Sequence, residues 1–224
     1  MNTTEKKENC FSNDGEQGMF VAFLEKVYYG IVNGSIPGMD SAEELAKSYS
    51  TGYDSREDAA NALVRWQNAK CAIDGFLTGL PGLAFLPATI PLNVASTCAV
   101  HIQTVASLAK MGGYDLDDDR VKTLVLACLA GESIDKLLRP VGISVAEALA
   151  KGAINAIPRS LLGRINAMVG AKLFTKFSEK GIIQLGKIIP FVGGILGGVV
   201  DGVASNIIGN VAIETFITEE RAAA

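Results

Sequence analysis

Pro91-Leu-Asn-Val-Ala-Ser-Thr-Cys-Ala-Val-His-Ile-Gln-Thr-Val-Ala-Ser-Leu-Ala-Lys-Met-Gly-Gly113 decides how the chain is read. Proline can open a helix, because its missing N–H is one of the unpaired groups of a first turn, and a glycine pair can close one. Between these stops Leu92, Ala95, Val100, Ile102, Val105 and Leu108 supply apolar surface. Asn93, Thr97, His101, Gln103, Thr104 and Ser107 are interleaved with them. A lipid-facing span of about 20 residues does not carry that many polar groups. The stretch therefore predicts a helix enclosed by other helices, and with it an all-α, single compact helical bundle.

The same helix belongs to a longer segment, Gly75–Ala109, that holds no formal charge but is broken by Pro81, Pro87 and Pro91. Gly75, Gly79 and Gly82 allow close backbone approach within it. A second segment, Ile188–Ile213, carries Asp201 as its one charge. There Gly193/Gly197, Gly194/Gly198 and Gly198/Gly202 form overlapping small-xxx-small pairs, which let two helices approach closely in apolar surroundings. Tight packing inside a bundle and penetration of a bilayer by the same surface are both compatible with that pattern. The two Gly/Pro-rich segments are expected to pack in the core.

Outside them the signals are also helical. Residues 1–16 lack an apolar period and read as a flexible tail, after which Met19, Phe20, Phe23, Leu24 and Val27 recur at helical spacing up to Gly30 or Gly34. Ser41-Ala-Glu-Glu44 and Ser144-Val-Ala-Glu147 are capping boxes, in which a hydroxyl and a carboxylate three residues on satisfy each other's free backbone N–H groups. Asp54 or Ser55, with Glu57 and Asp58 in the first turn, opens a helix whose Ala59, Leu63, Trp66 and Ala69 or Lys70 are expected to face the core. Asp117, Asp118 and Asp119 open another, and Pro158 suits the first turn of a further one. Period-two alternation with hairpin turns is absent. Residues 17–218 are read as one helical domain and 219–224 as a tail.

With 224 residues, 49% hydrophobic and 20% charged, the chain can bury one sizeable core and is neither disordered nor polytopic. Residues 1–74 carry 7 basic and 12 acidic side chains, whereas 136–187 carry 9 basic and 2 acidic, so the surface should be bipolar. The polar start has no secretory pattern, which points to the cytoplasm. Cys10, Cys71, Cys98 and Cys128 have no zinc spacing and read as reduced thiols. No cofactor or metal is implied. Asp115-Leu-Asp-Asp-Asp119 fails as a calcium loop, with Arg120 at its sixth position and Leu126 at its twelfth.

Catalytic motifs are missing: there is no nucleophile elbow, zinc-binding helix or phosphate loop. The single histidine, His101, sits on the uncharged helix, where a polar-network role is the simpler one. Plotted at about 100° per residue, Lys172, Lys176, Lys180 and Lys187 fall on one face, opposite Leu173, Phe174, Phe177, Leu185, Ile188 and Ile189. Such a face is either ordinary solvated surface or a contact for an anionic membrane, each lysine adding about 1 kcal/mol there. Nucleic acid is disfavoured, since no aromatic residue is expected to be exposed among these lysines for base stacking and the overall charge is negative.

Gly79-Leu-Pro-Gly-Leu-Ala-Phe-Leu-Pro-Ala-Thr-Ile-Pro-Leu-Asn-Val94 followed by Ile102–Asp118, and then Ile189-Pro-Phe-Val-Gly-Gly-Ile-Leu-Gly-Gly-Val-Val-Asp201 with Gly209–Phe216, resembles the bacterial EcsC family. The resemblance implies a cytoplasmic, helical, membrane-associated protein without an established reaction, in a family named from an operon that also encodes an ABC transporter. Asn93 stands where the family pattern usually has Asp, and Asp201 where it usually has Asn. A reciprocal exchange of this kind is expected if the two side chains hydrogen-bond to each other.

These readings combine into an expected non-enzymatic, peripheral membrane- or lipid-interacting protein at the inner face of the plasma membrane, an accessory to transport or secretion. Its partners would be an anionic membrane surface or lipid and a membrane transporter. Two other classes stay open. One is a hydrolase acting on lipid or peptide through a polar cluster of Asp74, Asn93, His101 and Asp201. The other is a pore-forming or effector protein that releases an apolar hairpin.

Overall fold

The structure is a computed structural model that describes residues 3–72, 92–141, 154, 157–177 and 195–217, without the side chains of 3–14, 70–72, 92–93, 141 and 195–203. Among the described residues there are eight α-helices and no strand. They are α1 (Thr3–Val32), α2 (Ala42–Ser50), α3 (Arg56–Ala72), α4 (Leu92–Met111), α5 (Asp119–Cys128), α6 (Ile134–Leu138), α7 (Arg159–Phe177) and α8 (Ile195–Phe216). A short 3-10 turn, Arg139–Val141, follows α6.

Local chemistry sets the helix ends. At Ser41 the capping box is complete: the hydroxyl accepts from the Glu44 N–H, and the Glu44 carboxylate accepts from the Ser41 N–H at 2.9 Å. Ser55 caps α3 through the Asp58 N–H and donates to the Asp58 carboxylate at 2.7 Å. The N-cap of α5 is Asp118, which accepts from the Arg120 N–H. Gly34 and Gly113, at φ +63° and +82°, turn the chain after α1 and α4 in the left-handed region that favours glycine. Helix α1 begins at Thr3, within the stretch that lacks an apolar period. The Ser144–Glu147 box lies outside the described residues.

Helix α4 is the axis of the bundle. It packs against α1, α2, α3, α5 and α8, and from Val94 to Ala109 only Thr97 is less than fully buried. Around it Leu24, Tyr28, Ile31, Leu63, Leu124, Leu138, Ile165 and Phe216 form one continuous core. Val64 meets Gly209 and Asn68 donates to Asn206, so α3 and α8 are antiparallel. His101 meets Ser205 and Tyr114 packs edge-on against Phe216, so α4 and α8 run side by side in the same direction.

That arrangement has a consequence for the connections. The C-terminal end of α3 and the N-terminal ends of α4 and α8 lie together, at what is called here the apical end. Helix α7 ends at the middle level, since Lys176 reaches the same glycine, Gly131, that Ile207, halfway along α8, touches. Residues 73–91 are thus joined to the bundle at the apical end on both sides, and 178–194 on the side that enters α8.

One face is rotated from the sequence expectation. Trp66 is 60% exposed and Ala69 is exposed, while Ala59, Ala60, Leu63, Val64 and Gln67 form the buried side of α3. The physical reason is Gln67: it is buried because it donates across to Gln103 of α4 at 2.9 Å. That bond turns Trp66 outward.

The closest helix approaches occur at isolated glycines. A Cβ on Gly209 would collide with both methyls of Val64, one on Gly170 with a methyl of Val21, and one on Gly112 with the backbone carbonyl of Phe216. Gly209→Ala should therefore cost about 1–3 kcal/mol in urea unfolding, by overpacking. Val64→Ala in the same chain should recover part of that loss. Gly112→Ala should cost more than Gly209→Ala, because a backbone carbonyl cannot rotate away as a valine side chain can.

Candidate functional site

Polar side chains on α4 have no route to bulk water and must be satisfied by neighbours, because an unpaired buried polar group costs about 1–3 kcal/mol. Two of them reach across the bundle at one level. Gln103 accepts from Gln67 and donates to the Asp40 backbone carbonyl at 2.7 Å, tying α4 to α3 and to the α1–α2 loop. His101 Nε2 lies 2.7 Å from Ser205 Oγ, tying α4 to α8. Thr104 turns back to the Val100 carbonyl. A polar layer thus crosses the three helices, with Asn68 and Asn206 at its outer edge.

Lys176 enters this region from α7. Its ammonium donates to the Leu129 and Ala130 carbonyls at 2.8 and 3.2 Å, filling two acceptors that the end of α5 leaves open. Burial lowers its pKa. Next to it, Lys172 pairs with Glu132, whose carboxyl is held below its ordinary value chiefly by that hydrogen bond.

His101 itself is neutral. Burial, aided by the Lys176 charge, lowers its pKa to about 3. Its Nδ1 has no hydrogen-bond partner among the described residues. Burial pushes the Cys98 thiol, one turn away, up to about 12. A general base must accept a proton near the working pH, and burial works against that at His101, whereas its contact with Ser205 ties α4 to α8. Among the described residues no three His, Cys, Asp or Glu side chains converge as metal ligands.

The sequence-derived candidates divide three ways. His101 is buried in a polar network, with Ser205 and Lys176 as neighbours that the sequence pattern did not pair with it. Lys172 and Lys176, expected on an open basic face, are half-buried and engaged with the end of α5. Lys180, Lys187 and Asp74 lie outside the described residues, and so do Gly75, Gly79, Gly82, Gly193 and Gly194. Asn93, Asp201, Gly197, Gly198 and Gly202 are in helices, but the Asn93 and Asp201 side chains, and hence their pairing, lie outside what is described.

Against known proteins, a family model described as the EcsC protein family matches residues 17–218. No curated protein and no solved structure matches the chain.

The buried histidine makes stability depend on acid. Its folded-state pKa lies below the ordinary 6.5, so the unfolded chain binds the extra proton as pH falls below 6.5. Its contribution is present above pH 6.5 and is lost progressively towards pH 3, by at most about 1.4 kcal/mol per pH unit. Urea unfolding followed from pH 7 to pH 4 should show that loss, and His101→Gln should flatten it. In the folded protein the imidazole C–H resonances should stay constant from pH 8 to pH 5.

Proposed function

The chain belongs to the EcsC protein family, and we propose that it is a non-enzymatic, peripheral membrane- or lipid-interacting protein whose contact surface is the apical end of the bundle. One observation carries the reading: the C-terminal end of α3 and the N-terminal ends of α4 and α8, from which both apolar segments are reached, converge there. The two connections, 73–91 and 178–194, contain only Asp74, Glu179, Lys180 and Lys187 as charged side chains. Surface of that composition gains free energy on leaving water, at about 25 cal/mol per Å² of apolar area.

Electrostatics supplies the second part of the contact. Lys180 and Lys187 belong to the connection that enters α8 at the apical end, and each lysine near an anionic leaflet adds about 1 kcal/mol. Lys172 and Lys176 are withdrawn from this role by Glu132 and the α5 carbonyls. Among the described residues no helix is long and apolar enough to cross a membrane. The contact is accordingly drawn as peripheral.

Flotation with sealed vesicles tests this. Binding is expected to vesicles of phosphatidylglycerol with phosphatidylcholine, to be weaker on phosphatidylcholine alone, and to fall with added salt. Lys180→Glu with Lys187→Glu should weaken it at least roughly tenfold without lowering the melting temperature. Lys172→Glu with Lys176→Glu should act differently, lowering the melting temperature because the Glu132 pair and the α5 cap are lost. Binding that ignores anionic lipid, or that survives the Lys180/Lys187 exchange unchanged, overturns the reading.

A further inference from the structure

Trp66 is the only tryptophan in the chain, and the largest exposed apolar side chain of the described structure, 60% accessible on the outer face of α3. Core formation gives no reason for it to be there. It stands six residues before the end of α3, about 9 Å from that end at 1.5 Å per residue. Past that end come Ile73 and Asp74, and then the uncharged segment from Gly75. Arg65 and Ala69 are exposed beside it, and Lys70 follows four residues on.

The charge along α3 is sorted. Glu57 and Asp58 occupy the first turn, at the end away from the apical side, whereas no acidic residue occurs from Ala59 to Ala72. The apical half therefore exposes Trp66 beside Arg65, with Lys70 four residues on in sequence. Indole is amphipathic, with a broad apolar ring and one N–H donor, and it concentrates where hydrocarbon gives way to polar headgroups. Basic side chains beside it add attraction to anionic headgroups. Helix α3 is packed on α2, α4 and α8, so this outer turn can meet a flat surface without any helix separating from the core.

We propose that the last turns of α3, with Arg65, Trp66, Ala69 and Lys70, are an interfacial anchor that seats the bundle on an anionic bilayer beside the apical segments. The proposal rests on the membrane-contact reading above and adds to it the surface and the residue that enters the interface. The occupant is the bilayer itself, because the basic–aromatic–basic order complements anionic headgroups and, after Asp74 alone, leads into 35 residues without charge.

A single tryptophan makes the test direct. The full-length protein is titrated with phosphatidylglycerol/phosphatidylcholine vesicles while Trp66 emission is followed, together with its quenching by iodide and by brominated acyl chains. The expected result is a blue shift, protection from iodide and quenching by the brominated lipid, none of them with phosphatidylcholine alone. Arg65→Glu and Lys70→Glu should each weaken vesicle affinity roughly fivefold or more, and Trp66→Ala roughly tenfold, with melting temperatures unchanged.

Failures separate cleanly. Flotation with anionic vesicles but an unmoved Trp66 signal overturns the anchor and leaves the membrane reading standing. A shift that appears without vesicles as protein concentration rises assigns the surface to a second copy of the chain and overturns it too. No flotation with any vesicle removes both.

Discussion

The enclosure of α4 is the constraint on which the rest of this structure depends. A helix so enclosed has little water to satisfy its polar groups. Thr104 turns back to its own helix, Ser107 Oγ and His101 Nδ1 have no partner among the described residues, and the longer side chains reach particular neighbours. Gln103 finds Gln67 and the Asp40 carbonyl, and His101 finds Ser205. Apolar packing tolerates small slides of one helix along another, but a slide of one residue here would strand several buried groups at once. The register of α3, α4 and α8 follows, and with it the meeting of their ends at the apical side.

Charge is distributed to the same plan. At the end opposite the apical side Lys122 is within 3.5 Å of Glu25, within 3.1 Å of Asp119 and donates to the Tyr29 hydroxyl, so its pKa is raised despite the opposing effect of burial. Tyr28 donates to the Leu116 carbonyl there, and burial pushes its phenol well above the usual value. At the middle level Lys172 and Lys176 are spent on Glu132 and on the open carbonyls of α5. A lysine stem can lie along apolar surface while its ammonium meets a helix C-terminus, so a basic stripe in sequence need not be a basic face in space. The excess of basic residues in 136–187 is thus partly internal.

The parts of the fold that were legible in the sequence are those fixed by neighbours in sequence. The Ser41–Glu44 box, the Asp118 cap and the turn at Gly113 depend on atoms a few residues apart, and the mixed polar and apolar content of Leu92–Met111 announced a buried helix. Trp66 was misplaced because periodicity assigns the larger apolar residue to the core, while the choice between Trp66 and Gln67 was made by Gln103, 36 residues away. The close approaches at Gly112, Gly170 and Gly209 were not legible for a related reason. A glycine needed for close approach is recognisable only with its partner, and Phe216, Val21 and Val64 are distant in sequence. Glycine runs draw notice without saying which members touch anything.

The polar layer also bears on how deep a membrane contact can go. Moving the level of His101, Ser205, Gln67 and Gln103 into hydrocarbon while the helices separate would expose groups that are now paired only with one another, and each unpaired amide or hydroxyl costs several kcal/mol in an apolar medium. Below that level the ion pairs around Lys122 raise the cost further. Above it, the apical half of α3 carries no acidic residue. On the membrane reading the layer therefore acts as a stop: the surface above it can enter an interface, while the bundle below it keeps its water-side packing. A protein built this way can engage a bilayer without unfolding, which suits reversible, peripheral attachment better than a span.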